Sequence, residues 1–420
     1  MVSRTWTSPR SASRTRQFAA ILAVSAVLAL LAPRAALASR HHRAAAAAAA
    51  VPAASEQSEG GENTQAAGLT APYAAACVME PTTATVIFEK DMHQPWPTAS
   101  VTKMMPMLIV AEKLHDGSLK LTDQVNTSRS AAKMGGSQVY LKEGETFSLD
   151  DMMKAVVVHS ANDATYAVAE YVAGSPEAFV QMMNERAHQL GMKDTKYYSV
   201  HGLPPGPGQQ ADVSSAYDSA LLARELVKYL DVLRWSGIDT APFRNGSFTL
   251  RNTNHLVRTM RGCDGLKTGF YAKAGFNVVA TAKRNGLRLV AVVMGSPRKG
   301  QNFHEAEVML SQGFLDYMMY QVAKKGTPIG QAVAVNGGAA PEIKPVWADD
   351  VAIFVKHGEE NNAIKVTFDL PPSVDAPVKA GQTLGRGEVM LAGKPAASAA
   401  LIAPTADDRG SILRRWFQKL

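Results

Sequence analysis

Three serine–lysine pairs at i, i+3 stand out among the residues able to do chemistry: Ser100/Lys103, Ser130/Lys133 and Ser296/Lys299. On a helix this spacing puts the amine one turn from the hydroxyl. A neutral amine there can take the hydroxyl proton and activate an otherwise poor nucleophile. The spacing alone selects nothing, because composition produces about 1.4 such matches by chance. Two more motifs are informative. Ser160-Ala161-Asn162 supplies S-x-N, expected about 0.8 times, and Lys267-Thr268-Gly269 supplies K-T-G, expected only about 0.1 times.

The elements that must hold these residues separate the three serines. ACVMEPTTATVIFEKD alternates apolar and polar residues around a turn, as a hairpin does. TASVTKMMPMLIVAEKLHDG then turns helical and stops at Gly117, so Ser100 alone opens an apolar helix with its lysine one turn on. Pro106 falls inside that pattern, where it removes one backbone hydrogen bond and predicts a kink or a local loosening. Ser130 lies in a polar stretch, and Ser296 follows a strand beyond K-T-G; both read as surface coincidences.

Other elements are punctuated locally. Ser148-x-x-Asp151 resembles a capping box before DMMKAVVV, and Ser175-Pro176-Glu177 starts EAFVQMMNERAHQL. SSAYDSALLARELVKYL is a further amphipathic helix, and Asn285-Gly286 between FNVVATAK and LRLVAVVMG marks an antiparallel hairpin. Helices flanked by antiparallel strands predict an α/β layered domain over 70–325. From 326 to 405, short strands such as VAIFVKHG, AIKVTFDL and GEVMLAGKP alternate with turn residues and predict a small all-β domain.

The ends bear on location. Arg4, Arg10, Arg14 and Arg16 precede FAAILAVSAVLALLA, and Ala36-Leu37-Ala38 offers a small-x-small site, so 1–38 reads as a signal peptide cleaved after Ala38. The alternative is an uncleaved anchor, but Gln17–Pro33 is shorter than the roughly 20 residues a span needs. Cleavage removes five Arg and no acid, which takes the net charge from +7 to +2. A mature chain near neutrality, with no basic cluster among aromatics, gives no nucleic-acid signal. Residues 39–69 read as a flexible leader. In the tail, 406–420, Ile412, Leu413, Trp416, Phe417 and Leu420 fall on one helical face, opposite Arg414, Arg415, Gln418 and Lys419. That pattern over 411–420 suits a membrane surface, with a frayed or docked terminus as the alternative. Cys77 and Cys263 are open to either reading, bridged or free.

In the order S-x-x-K, S-x-N, K-T-G, the motifs form a penicillin-binding signature. The chain resembles the low-molecular-mass penicillin-binding proteins, the D-alanyl-D-alanine carboxypeptidases of serine peptidase family S11. The likeness runs through PTASVTKMM, GGSQVYLKEGE, SANDA, HGLPPGPGQ and DGLKTGF, and into the β domain through APVKAGQTLGRGEV. It departs at Phe270, where many members carry His or a small residue; a basic residue after the hairpin has no clear equivalent, Arg298 and His304 being the candidates. The resemblance implies a serine β-lactamase-like α/β catalytic domain with an antiparallel sheet, and removal of the terminal D-Ala from peptidoglycan pentapeptides. Ser100 would be the nucleophile, Lys103 the base, Ser160 a proton relay, and Asn162 an orienting group for substrate amide and Lys103. Lys267 and Thr268 would hold the substrate carboxylate, Gly269 would let its backbone lie close, and the N–H groups of Ser100 and Phe270 would form an oxyanion hole. No metal or organic cofactor is implied. β-Lactams would acylate the same serine, on the outer, periplasmic face of the cytoplasmic membrane. A DD-endopeptidase, a serine β-lactamase and an inactive wall-binding scaffold are the rival readings. No water-positioning glutamate motif lies between Asn162 and Lys267, which disfavours the β-lactamase.

Overall fold

The computed structural model describes residues 72–359 and 364–411. The expected signal peptide, 1–38, the expected leader, 39–69, and the tail beyond Ser411 lie outside the described residues.

Five antiparallel strands form the central sheet: β1 (Ala75–Glu80), β2 (Thr85–Lys90), β3 (Cys263–Tyr271), β4 (Gly275–Arg284) and β5 (Leu287–Ser296), in the order β2-β1-β5-β4-β3. Side chains alternate across a strand, and here both faces are covered. Cys77, Met79, Val290 and Val292 enter a core shared with the main helices. Ala76, Val78, Leu289 and Ala291 face the opposite core, with Ala306 and Leu310. That double burial is why these strands are apolar almost throughout. Cys77 and Cys263 are free, buried and separated by two strands of the sheet, so the bridged reading is excluded.

The first helical layer contains α1 (Met104–His115), α2 (Leu149–Val157), α3 (Asn162–Ala173), α4 (Pro176–Gln189) and α5 (Ala216–Leu226); α6 (Gln301–Asp316) covers the other face. The caps of α2, α4 and α5 are made. Ser148, Ser175 and Ser215 each accept from the backbone N–H three residues on, filling a donor the helix leaves open. The Asn285-Gly286 hairpin forms with φ of +49° and +84°, the two positive values a type I′ turn needs. Pro106 does not kink a helix interior. A 3-10 turn over Ala99–Lys103 precedes α1, so Pro106 sits in the first α-helical turn, where a missing N–H breaks no bond.

The C-terminal part is all strand. β6 (Tyr317–Ala323) follows α6 directly and pairs with β7 (Val351–Lys356); β8 (Ile364–Asp369), β9 (Thr383–Leu391) and β10 (Lys394–Ile402) form a second sheet around Trp347, Val389 and Leu401. Strand β6 lies within the 70–325 span expected for the α/β domain, and YMMYQVA carries no turn residue to mark its start. At this join Tyr317, Met319 and Phe354 pack against the core under α6, beside a cavity of about 450 Å³ bordered by Arg284, Phe314 and His357.

Candidate active site

Ser100 is the second residue of the 3-10 turn, and Lys103 closes it. Lys103 Nζ donates to Ser100 Oγ at 3.0 Å and to the His201 carbonyl at 2.7 Å, and the lysine has no solvent exposure. Burial holds the Lys103 pKa well below the usual lysine range, aided by the charge of Lys267 and opposed by Asp212 and Asp163. Ala99, just before the serine, has φ of +47°. An L-residue rarely adopts that conformation, and the surrounding structure must enforce it.

Of the other two motifs, K-T-G meets this turn directly through Gly269. Ser160 is buried, with φ of +63°, two residues before α3. Asn162 is the first residue of α3; its Nδ2 donates to the Gly135 carbonyl at 2.7 Å rather than to Lys103, and its buried Oδ1 has no hydrogen-bond donor. Lys267, fully buried on β3, donates to the Thr268 carbonyl at 2.9 Å, and burial pushes its pKa down to about 7. Thr268 Oγ1 donates to Thr253 Oγ1.

Gly269 is where strand and turn touch. A Cβ there would lie 2.5 Å from the Thr98 carbonyl and 2.9 Å from the Ser100 nitrogen, so only glycine allows the approach. The next residue, Phe270, is 57% exposed and stacks on Phe276 with centroids 4.1 Å apart, a flat apolar surface at the rim. The alternative serines stay apart. Ser130 and Lys133 are both exposed; Ser296 is buried while Lys299 is exposed.

Several supports had no sequence signature. Asp212 accepts from Tyr198 N, Ser199 N and Ser199 Oγ, and so shapes the loop that brings the His201 carbonyl to Lys103. Gly202 follows with φ of +76°, and a Cβ there would strike the Ala99 carbonyl at 1.9 Å. The Asp163 carboxylate, buried beside Asn162, receives Val139 N and Leu141 N and ties the 135–141 loop to α3. HGLPPGPGQ and SANDA contain His201, Gly202 and Asp163, but nothing in their spacing points to these contacts. Among the described residues no group of three His, Cys, Asp or Glu side chains could hold a metal ion.

The arrangement supports acyl transfer through serine, and comparison with known proteins agrees. The family model for D-alanyl-D-alanine carboxypeptidase matches residues 62–298, and that for the C-terminal domain of penicillin-binding protein 5 matches 317–409. The D-alanyl-D-alanine carboxypeptidase DacF of Bacillus subtilis is 34% identical over 74% of this chain and 79% of its own. Penicillin-binding protein 5 of Haemophilus influenzae is 28% identical with a TM-score of 0.62, over 82% of this chain and all of that one. Ampicillin-bound penicillin-binding protein D2 of Listeria monocytogenes is 27% identical with a TM-score of 0.54, over 59% of this chain and all of that one. With a buried lysine on the serine of the first motif, and the matches spanning both parts of the fold, the chain belongs to the D-alanyl-D-alanine carboxypeptidase family.

Proposed function

We propose that the protein is a serine D-alanyl-D-alanine carboxypeptidase that trims the terminal D-Ala from peptidoglycan pentapeptides, and that Ser100 is the residue acylated. The observation carrying this reading is the 3.0 Å contact from a fully buried Lys103 to Ser100 Oγ. A lysine deprived of water and set near a second cation favours its neutral form. Neutral Lys103 takes the Ser100 proton as Oγ attacks the carbonyl of the penultimate D-Ala. Negative charge on that carbonyl oxygen is met by the N–H groups of Ser100 and Phe270, a type of contact worth about 3–4 kcal/mol per donor. Ser160 relays that proton from Lys103 to the departing amine, the C–N bond breaks, D-Ala leaves and Lys103 is neutral again. Water then hydrolyses the ester and returns the proton to the lysine–serine pair.

Lys267 in its protonated form, with Thr268, receives the substrate's free carboxylate. Asn162 Oδ1 accepts from a substrate amide. Penicillin acylates the same serine. The catalytic domain covers residues 70 to about 316–325, and the strands after it form a separate β domain. The protein works outside the cytoplasmic membrane after loss of 1–38, attached through 411–420. No helix among the described residues is long and apolar enough to cross a membrane.

A fluorescent penicillin tests the nucleophile. It should label the purified protein at Ser100, and Ser100→Ala should abolish labelling while leaving the melting temperature close to the parent's. Undiminished labelling of that variant, or a label mapped to Ser130 or Ser296, would overturn the assignment.

A further inference from the structure

Asn277 lies on β4 directly opposite Gly269, and its side chain is 1% exposed. Its Nδ2 donates to two carbonyls, Pro97 at 2.9 Å and Thr98 at 3.1 Å, while its Oδ1 accepts from Gly295 N at 2.8 Å. An amide nitrogen has two hydrogens, so both are committed to the two residues that lead into the nucleophile's turn. From the other side, Asn302 Nδ2 donates to the Asn277 carbonyl at 3.4 Å.

Those two carbonyls occupy a particular place. The Thr98 carbonyl also accepts from Val101 N, and it is the atom that the missing Cβ of Gly269 would strike. It is therefore held between the Asn277 amide and the β3 backbone. Next in sequence come Ala99, in its unfavourable φ, and Ser100. The first turn of a helix leaves the Ser100 N–H without an intrahelical acceptor.

We infer that Asn277 is a positioning residue for the reaction: by clamping the Pro97 and Thr98 carbonyls it sets the distance between the Ser100 N–H and β3, the two sides of the oxyanion hole. It touches no reacting atom. The inference rests on the reading that the Ser100 and Phe270 N–H groups form that hole.

The test uses the whole protein with Asn277→Asp, which keeps the size and the acceptor for Gly295 N but replaces the donor to both carbonyls. Asn277→Ala, which adds no charge, stands beside it in case the aspartate does not fold. Penicillin titration counts intact sites, so the acylation rate is expressed per titrated site. That rate should fall about 100-fold, the order of loss that a misplacement near 1 Å produces. The infrared band of the penicilloyl ester carbonyl should move to higher frequency, towards that of a less strongly hydrogen-bonded ester. If the titrated fraction falls while rate per site and band position match the parent, Asn277 serves the fold alone and the inference is wrong. If the parent's own ester band shows no polarisation relative to a model ester in water, the oxyanion-hole reading fails first, and the inference falls with it.

Discussion

At the scale of single residues, the proposed reaction asks opposite working states of two buried lysines. In it Lys103 must be neutral to accept a proton, whereas Lys267 must be charged to pair with a carboxylate. Burial depresses both, and the charge of Lys267 depresses Lys103 further. The signs then follow. As pH rises, Lys103 loses its proton and activity grows; as pH passes about 7, Lys267 in the free enzyme loses its own and activity falls. A bell-shaped kcat/KM is expected for peptides with a free C-terminus. A bound carboxylate favours charged Lys267, so the alkaline limb of kcat should lie higher than that of kcat/KM. In Lys267→Arg the guanidinium stays protonated, and the alkaline limb near 7 should vanish from whatever activity remains. A limb unchanged by that substitution would assign it to another group. Cys77 and Cys263 do not compete for this role, because burial raises their pKa to about 12 and about 11 and leaves them unreactive thiols.

At the scale of elements, the site is a contact between a strand and a helical turn, and Gly269 measures how close that contact is. Gly269→Ala puts a methyl against three backbone atoms, of Thr98, Ser100 and Val101, none of which can swing away. Penicillin acylation per site should drop by about 10- to 100-fold through displacement of Ser100. The same overpacking should cost about 1–3 kcal/mol of stability, read in a thermal melt; an unchanged acylation rate would show that the approach is dispensable. Features of this fold set by neighbouring residues could be read in the chain. The caps at Ser148, Ser175 and Ser215 and the Asn285-Gly286 turn each depend on a few adjacent positions. What could not be read depends on distance along the chain. The His201 carbonyl reaches Lys103 across 98 residues, and Asn277 reaches Pro97 across 180. Backbone carbonyls leave no mark in composition, so their partners are invisible before the fold is known. Pro106 departs from expectation for a local reason: the 3-10 turn delays the start of α1 until Met104, and that moves the proline from a helix interior to a helix start.

For the whole molecule, the open question is where the catalytic cleft works. On the sequence reading, five apolar side chains of the tail share one face, and burying a large one completely is worth ~1.5–3 kcal/mol. Arg414, Arg415 and Lys419 each add about 1 kcal/mol at an anionic surface. If the proposed attachment holds, deleting 411–420 should move the signal-cleaved protein from the membrane to the soluble fraction and leave hydrolysis of small peptides within about twofold. Persistence at the membrane after the deletion would point to the N-terminal segment instead. The join between α6 and β6 bears on the same question. Asp316 ends the helix, Tyr317 begins the strand, the His357 N–H donates to the Asp316 carbonyl at 2.7 Å, and Tyr317 stacks on Phe354. No loop residue separates the helix from the strand at this join. Joined in this way, the strand-rich part is expected to act as a spacer rather than a swinging arm. An enzyme held by its C-terminal end through such a spacer would cut at a set height above its anchor instead of sweeping a volume.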